Sequence, residues 1–256
     1  MKSVILSLIM ACGLHAQQFP FSFWATQGVA NNFKTSLVAY YSMEDSSGSG
    51  AVDSFAANNM TLNGTLGSAA GKISNCRTSS GSSANYLSLS SVAGFSPGSG
   101  NFTLTFWAKS ALVGQGGAYP IVLSKDGNSS NEEWLIYIDA GANSPVLEVT
   151  SNGSSKSHVT ATGSIFGDTS WHFVAAEWDG TNLAISVDGG AFATTGYTGS
   201  IFSGTGPVRM FADVSSSNSW DGSLDEVAFW KGRALTITEV GTLYNSGVGF
   251  GYSNFH

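Results

Sequence analysis

Short apolar runs separated by turn residues fill the chain from Leu37 onward, and they constrain its fold more than any other feature. The clearest runs are LVAYYSME, NYLSLS, NFTLTFWAK, EWLIYIDA, WHFVAAEW, NLAISVDG and SLDEVAFW. Each is rich in β-branched and aromatic residues and is bounded by Gly, Asn, Ser or Asp, as short strands are. Roughly a dozen such runs occur, and together they predict an all-β sandwich.

The alternation inside these runs predicts which faces are buried. In NFTLTFWAK, the apolar residues Phe102, Leu104 and Phe106 fall on one face, and the threonines between them fall on the other. We therefore expect one face to pack in the core and the other to contact solvent. The Asp-Gly pair in VDGGAF follows such a run and is typical of a hairpin turn, which predicts consecutive antiparallel strands.

One short helix is expected near the C-terminus. Thr236 and Glu239 have the spacing of a capping box, in which each side chain accepts a hydrogen bond from the other residue's backbone. Val240, Leu243 and Tyr244 follow at helical spacing. The helix should end near residues 245–247, where Asn, Ser and Gly occur in succession.

Charge argues against a nucleic-acid partner. The formal net charge is −7, and the ten Lys and Arg residues are scattered along the chain. Nucleic-acid binding depends on clustered cations that neutralise phosphates. The 17 Asp and Glu residues instead leave oxygen ligands available for a hard cation such as Ca²⁺.

The N-terminus has the pattern of a secretory signal peptide. MKSVILSLIMACGLHAQQF combines one Lys, a short apolar run and a small residue before the expected cleavage point after Ala16. This run is too short to span a bilayer. Lipidation at Cys12 is one alternative, and a buried first strand is another. Residues 17–36 are interpreted as a linker or edge segment.

The order of the motifs resembles the laminin-G-like domains of the concanavalin A-like lectin/glucanase superfamily. The resemblance runs from Leu37 to Gly247, leaves 248–256 as a C-terminal tail, and rests on LVAYYSMEDSSGSG, GKISN, NFTLTFWAK, DTSWHFVAAEWDGTNLAISVDGG and DGSLDEVAFWKGRALTITEVGTLYNSG. It implies a jelly-roll sandwich of two curved antiparallel sheets with one short C-terminal helix.

The resemblance also implies a structural calcium ion. In such domains the Asp of the last-strand motif helps to hold the ion, and this position is Asp225. Glu44, which ends YYSME, and Asp53, in the loop that follows, match the other acidic ligands. The alternative for Asp225 is an ordinary hydrogen-bonding role. Glu226 is its neighbour on a strand, so we expect Glu226 to point to the opposite face.

Catalytic machinery is not evident in the sequence. Glucanases of this superfamily carry a Glu-x-Asp-x-x-Glu string, because glycoside hydrolysis needs two carboxyl groups facing each other across the bond. The nearest string is NEEWLIYIDAG, in which Glu133 and Asp139 are six residues apart. No paired-His zinc motif occurs either. The sequence therefore predicts a protein that is not an enzyme.

Carbohydrate binding has more support. A sugar site needs an aromatic ring beside amide or carboxylate groups. Trp220 with Asn218, and less strongly Trp134, meet this description. We therefore predict a secreted or cell-surface domain that binds carbohydrate or a glycosylated partner, with no membrane span. A structural or adhesive role in a cell-surface assembly, or in a virion appendage if the chain is not exported, is one alternative. A glucanase-type hydrolase is the other.

Overall fold

The computed structural model describes residues 32–110, 119–128, 130–215 and 218–256. The predicted signal peptide, with Cys12, and most of the predicted linker lie outside these residues. Within the described ranges, no helix is long and apolar enough to cross a membrane.

Fifteen strands and one α-helix form in the described part of the chain. The strands are β1 (Leu37–Tyr41), β2 (Thr61–Asn63), β3 (Gly67–Ala70), β4 (Asn75–Ser80), β5 (Tyr86–Leu89), β6 (Phe102–Lys109), β7 (Ile121–Asp126), β8 (Glu132–Asp139), β9 (Ser144–Thr150), β10 (Lys156–Thr160), β11 (His172–Trp178), β12 (Asn182–Val187), β13 (Ala193–Gly196), β14 (Val208–Met210) and β15 (Asp221–Lys231). The helix is α1 (Ile237–Tyr244).

The strands form two sheets whose ladders are antiparallel. The eight-stranded sheet has the order β13-β12-β11-β6-β15-β4-β3, and β1 pairs with β15 outside this path. The seven-stranded sheet has the order β10-β9-β8-β7-β14-β5-β2. Neighbouring strands are often distant in sequence, as when β6 lies between β11 and β15. The predicted all-β sandwich of two antiparallel sheets is confirmed.

The main core lies between the two sheets. Phe102, Leu104 and Phe106 are buried there, as the alternation of β6 predicts. The threonines of β6 are also buried, however: Thr103 is 0% exposed and Thr105 is 2% exposed. The expectation of a solvated second face is therefore wrong for this strand, because another apolar layer covers the outer face of the eight-stranded sheet.

This second layer is called the outer cluster. Its buried members are Phe33, Leu37, Tyr40, Trp107, Phe173, Ala175, Ala228, Trp230, Leu235, Val240, Leu243 and Phe255. The indole Nε1 of Trp230 donates to the carbonyl oxygen of Phe33 at 2.7 Å. Phe33 and Phe255 lie on either side of the range 37–247, so the packed body extends beyond the segment that carries the sequence motifs.

The capping box and the hairpin form as the sequence predicts. The Thr236 hydroxyl accepts from the Glu239 amide at 3.3 Å, and the Thr236 amide donates to the Glu239 carboxylate at 2.8 Å. The helix ends at Tyr244, and the C-cap residue Asn245 has a left-handed φ of 49°. Asp188 and Gly189 both have positive φ and join β12 to β13, which pair antiparallel. Both local predictions are confirmed.

Candidate functional site

A bulge in the seven-stranded sheet decides which side chains of β8 face outward. Asp126 pairs with Glu132, while the residue before Asp126 pairs with Trp134, so Glu133 is an extra residue in the ladder. One extra residue shifts the alternation by one position. Trp134 therefore packs in the core, and Glu132 faces the opposite, outer side.

The extra residue Glu133 is held inside the sandwich. Its Oε1 lies 2.6 Å from the Lys125 ammonium, and both side chains are 0% exposed. The same oxygen accepts from the Ser96 hydroxyl at 3.1 Å and from the Gly204 amide at 2.8 Å. Glu133 thus joins two loops to the underside of the sheet and is not available to a ligand.

A groove of about 400 Å³ lies on the outer face of the seven-stranded sheet. The lining residues, which define the groove, are Tyr119, Ile121, Asp126, Glu132, Leu135, Tyr137, Glu148, Lys156, His158, Asp213 and Asn218. A polar extension of about 370 Å³ shares several of these residues and adds Asn128, Ser130, Gly153, Ser154 and Ser215. The groove combines an exposed aromatic ring with clustered polar groups.

The groove has an aromatic wall. Tyr119 is 51% exposed, and its ring centroid lies 5.2 Å from that of Tyr137 in an edge-to-face arrangement. Tyr137 belongs to a small buried cluster with Ile121, Leu135 and Val146, which is separate from the main core. Tyr119 therefore presents an apolar ring to solvent on a packed base.

Lys156 carries the cationic group of the groove wall. Its ammonium lies 2.9 Å from Glu132 Oε2 and 2.6 Å from Glu148 Oε1. Burial raises the pKa of Glu132 to about 7, and the Glu148 charge adds to this although Lys156 opposes it. Burial also raises the pKa of Asp126, with a contribution from the charge of Asp213. The groove is thus an acidic surface with crowded carboxylates.

Two carboxylate oxygens in the groove are buried acceptors without a donor among the described residues: Glu132 Oε1 and Asp213 Oδ1. Asp213 is only 8% exposed, and its other oxygen accepts from Ser215 Oγ at 2.7 Å and from Asn218 Nδ2 at 3.4 Å. A buried acceptor without a partner is destabilising, whereas a donor supplied by a ligand would stabilise it.

The predicted ligand-binding residues are brought together only in part. Asn218 lines the groove. Trp220 is 0% exposed and packs edge-to-face on Phe166 at 5.2 Å between ring centroids. Trp134 is buried, and its Nε1 donates to the carbonyl oxygen of Phe95 at 2.9 Å. The prediction that either tryptophan contacts a ligand is wrong, because both rings are enclosed by the core.

Asp53, one of the predicted calcium ligands, has its carboxylate occupied by the chain itself. Oδ1 accepts from the amides of Tyr40 and Phe55 at 3.0 and 2.9 Å. Oδ2 accepts from the backbone amide and the side-chain amide of Asn58 at 3.2 and 3.1 Å. These four donors tie the loop after β1 to that strand, so Asp53 has a structural role.

Asp225 and Glu44 hold a different segment, the turn before β4. Asp225 Oδ2 accepts from the amides of Lys72 and Ile73 at 2.7 and 2.9 Å. The Glu44 carboxylate accepts from both the backbone and side-chain amides of Asn75 at 3.1 Å. The two carboxylates therefore fix this turn from two sides.

The three predicted ligands do not assemble into one site. Nowhere in the described ranges do three or more His, Cys, Asp or Glu side chains adopt an arrangement that could hold a metal. Asp225 Oδ1 is nevertheless buried and without a hydrogen-bond partner in those ranges. Burial raises the pKa of Asp225 to about 7, and the Glu44 charge contributes. A cation at Asp225 and Glu44, two of the three predicted ligands, stays a prediction.

The expectation that Asp225 and Glu226 point to opposite faces is wrong. The register of β15 against β6 shifts between Asp225 and Ala228, and Glu226 has a φ of +52°. Glu226 lies in a cavity of about 10 Å³ beside Trp107 of the outer cluster. Asp225 accepts a hydrogen bond from the turn before β4. Lys72 of this turn lies over the same Trp107 ring, with its ammonium 4.5 Å from the ring centroid, so Asp225 is on the Trp107 side as well. The bulge therefore places both carboxylates on one face.

These features define a two-sheet sandwich with a groove on the outer face of one sheet. Comparison with known proteins gives the family. Residues 79–241, more than half of the chain, match the Laminin_G_3 family model, described as "Concanavalin A-like lectin/glucanases superfamily". The chain belongs to this family, and the resemblance seen in its motifs is confirmed. No curated protein sequence matches the chain.

Several solved structures of toxin binding domains share the fold. The binding domain of Paraclostridial Mosquitocidal Protein 1 matches with a TM-score of 0.65 and 15% identity, covering 84% of this chain and 53% of that one. The binding domain of Botulinum Neurotoxin DC, in complex with SialylT, gives 0.63 and 16%, with 83% and 51% covered. A third structure is of botulinum neurotoxin type C, and its description states that cell entry of this toxin depends on interaction with two ganglioside molecules. It matches with a TM-score of 0.63 and 15% identity, covering 86% of this chain and 53% of that one.

These similarities establish the jelly-roll fold of the chain. This chain spans about half the length of each of these toxin binding domains. At identities of 14–16%, the likeness concerns the fold alone.

Proposed function

We propose that this protein is a non-catalytic, lectin-like domain that binds carbohydrate or a glycosylated surface through the groove of the seven-stranded sheet. The observation that carries the proposal is the exposed ring of Tyr119 in a groove that is also lined by Glu132 and Asp213, whose carboxylates hold unpaired acceptors. Sugar rings stack on aromatic side chains through their C–H faces, and sugar hydroxyls donate to carboxylates. Asn218 adds an amide at the same edge.

Known relatives support a binding role. The family is named for lectins as well as glucanases. The structural neighbours are binding domains, and two of them are described with a sialylated ligand or with gangliosides. Another neighbour is described in complex with rat synaptotagmin II, a protein receptor. With the predicted signal peptide at 1–16, these relatives favour action outside the cell, at a glycan-bearing surface.

The arrangement of charges argues against glycoside hydrolysis in the groove. A hydrolase needs two carboxyl groups separated by the scissile bond. Here Glu132 and Glu148 both contact the ammonium of Lys156, at 2.9 and 2.6 Å. The ammonium therefore lies where the glycosidic bond would have to be. Glu133, the acidic residue nearest to a glucanase pattern, is buried beneath the sheet.

A glycan array with the purified protein tests the proposal. We expect selective binding to a subset of glycans, and we expect Tyr119→Ala to weaken binding to that subset by about tenfold or more, because aromatic anchors dominate such contacts. Phe55→Ala is the matched control, since Phe55 is a 37% exposed aromatic residue outside the groove. The control should bind as the natural protein does.

Two results would contradict the proposal. An array without any bound glycan, recorded with protein that shows a cooperative unfolding transition, would remove carbohydrate binding. Equal losses in the Tyr119 and Phe55 variants would show that the groove is not the site.

A further inference from the structure

We infer that the groove selects uncharged glycans and excludes glycans that carry sialic acid or sulfate at the bound position. This inference rests on the proposed function and specifies the ligand class of the same site. It differs from what the toxin neighbours would suggest, because one of those is described with a sialylated ligand.

The balance of charge in the groove carries the first part of the argument. Four carboxylates line it, from Asp126, Glu132, Glu148 and Asp213, whereas Lys156 is the one Lys or Arg among the lining residues. Lys156 is already shared by Glu132 and Glu148. The groove therefore carries an excess of negative charge, which would repel an anionic sugar.

The two remaining carboxylates lie deep in the groove. Asp213 and Asp126 are 8% and 9% exposed, so water screens them poorly. An anion placed beside these residues would meet a stronger repulsion than one beside exposed carboxylates.

Hydrogen-bond chemistry carries the second part. Glu132 Oε1 and Asp213 Oδ1 are acceptors that lack a donor within the described ranges. The hydroxyls of a neutral sugar can donate to both. An ionised sialic acid carboxylate or a sulfate offers acceptors only at that position, so it would leave these oxygens unsatisfied.

The test compares matched pairs of glycans. One biantennary glycan is immobilised with terminal galactose and, in parallel, with sialic acid on that galactose. Agarose and its sulfated form provide a second pair. Titrations are run in excess EDTA, so that no divalent cation can bind the groove carboxylates and attract the anionic glycan. We expect the neutral member to bind about tenfold more tightly or better.

Variants assign the selectivity to the groove. Asp213→Asn keeps the shape of the side chain and removes one charge, so it should narrow the ratio between the neutral and anionic members. Glu148→Gln should do the same and leaves Lys156 paired with Glu132. Phe55→Ala should preserve the natural ratio. Thermal unfolding of each variant identifies any that fail to fold.

The outcomes separate this inference from the proposed function. If the anionic member of each pair binds as tightly as the neutral one or more tightly, the inference is overturned and carbohydrate binding stands. If the ratio of affinities favours the neutral member but stays unchanged in Asp213→Asn, in Glu148→Gln or in both, the inference is also overturned. If no member of any pair binds, the proposed function fails and the inference fails with it.

Discussion

Replacing Lys125 with Met should destabilise the protein strongly, because it leaves a buried charge without its partner. Lys125 and Glu133 are both fully buried, and their charged atoms lie 2.6 Å apart. Removing one member of such a pair costs about 3–5 kcal/mol, a large share of the roughly 5–15 kcal/mol that stabilises a typical domain. The Ser96 hydroxyl and the Gly204 amide remain on Glu133, which places the expected cost at the lower end.

The loss should also depend on pH. Burial raises the pKa of Glu133 in the folded state, and Lys125 opposes this rise. Without Lys125 the folded-state pKa rises further above the unfolded value. An acid with a raised folded pKa favours the folded state when protonated, so the variant should lose stability as pH rises through the folded pKa of Glu133. The destabilisation should therefore be larger at pH 8 than at pH 5.

Urea denaturation of the natural protein, Lys125→Met and Lys125→Met/Glu133→Leu measures these effects. The double variant removes both charges and should recover much of the loss, because a pair of apolar residues leaves no buried charge. A single-variant cost below about 1 kcal/mol, or a double variant less stable than the single one, would refute the reasoning.

Four further outcomes are expected. Thr236→Ala should cost about 0.5–2 kcal/mol in urea denaturation, because it removes the helix cap, and should leave glycan binding unchanged. The His172 imidazole binds the Asp188 carboxylate at 2.8 Å, and this hydrogen bond raises the pKa of His172. The protonated imidazole therefore stabilises the fold fully below pH ~6.5, and this stabilisation is lost as pH rises through the folded-state pKa of His172. The difference in melting temperature between the natural protein and His172→Gln should shrink over that pH range. Calcium at about one hundred times its Kd should stabilise the protein by about 2.7 kcal/mol, and Asp225→Asn should abolish this shift; an unchanged shift would leave Asp225 with its hydrogen-bonding role alone. Incubation with β-glucans, agar, carrageenan and xylan should release no reducing sugar, and turnover that disappears in Glu132→Gln would contradict this outcome.

Local features of the fold could be predicted from the sequence, because their causes are local. The capping pair at Thr236 and the Asp188 hairpin depend on residues within a few positions of each other. The apolar face of β6 follows from strand alternation. The burial of Thr103 could not be predicted, because the layer that covers it is assembled from α1 and from segments near both ends of the described chain.

The candidate site was harder to predict, because bulges and distant strands create it. The position of Glu226 depends on an irregularity that alternation does not reveal. Trp220, flanked by Ser219 and Asp221, resembled an exposed turn residue, although its ring is enclosed. Leu135 and Tyr137 are two residues apart on one strand, so strand alternation predicts that both side chains face the same side of the sheet. The contact between Tyr137 and Tyr119, by contrast, cannot be predicted from the sequence, because it forms only in the folded chain.

A crystal structure with the glycan that binds most tightly on the array tests the central claim most directly. The account predicts a sugar ring against Tyr119, with hydroxyls within hydrogen-bonding distance of Asp213 Oδ1 and Glu132 Oε1, about 2.5–3.0 Å. A glycan bound elsewhere, for example at the outer cluster that covers the eight-stranded sheet, with the groove open to water, would contradict it.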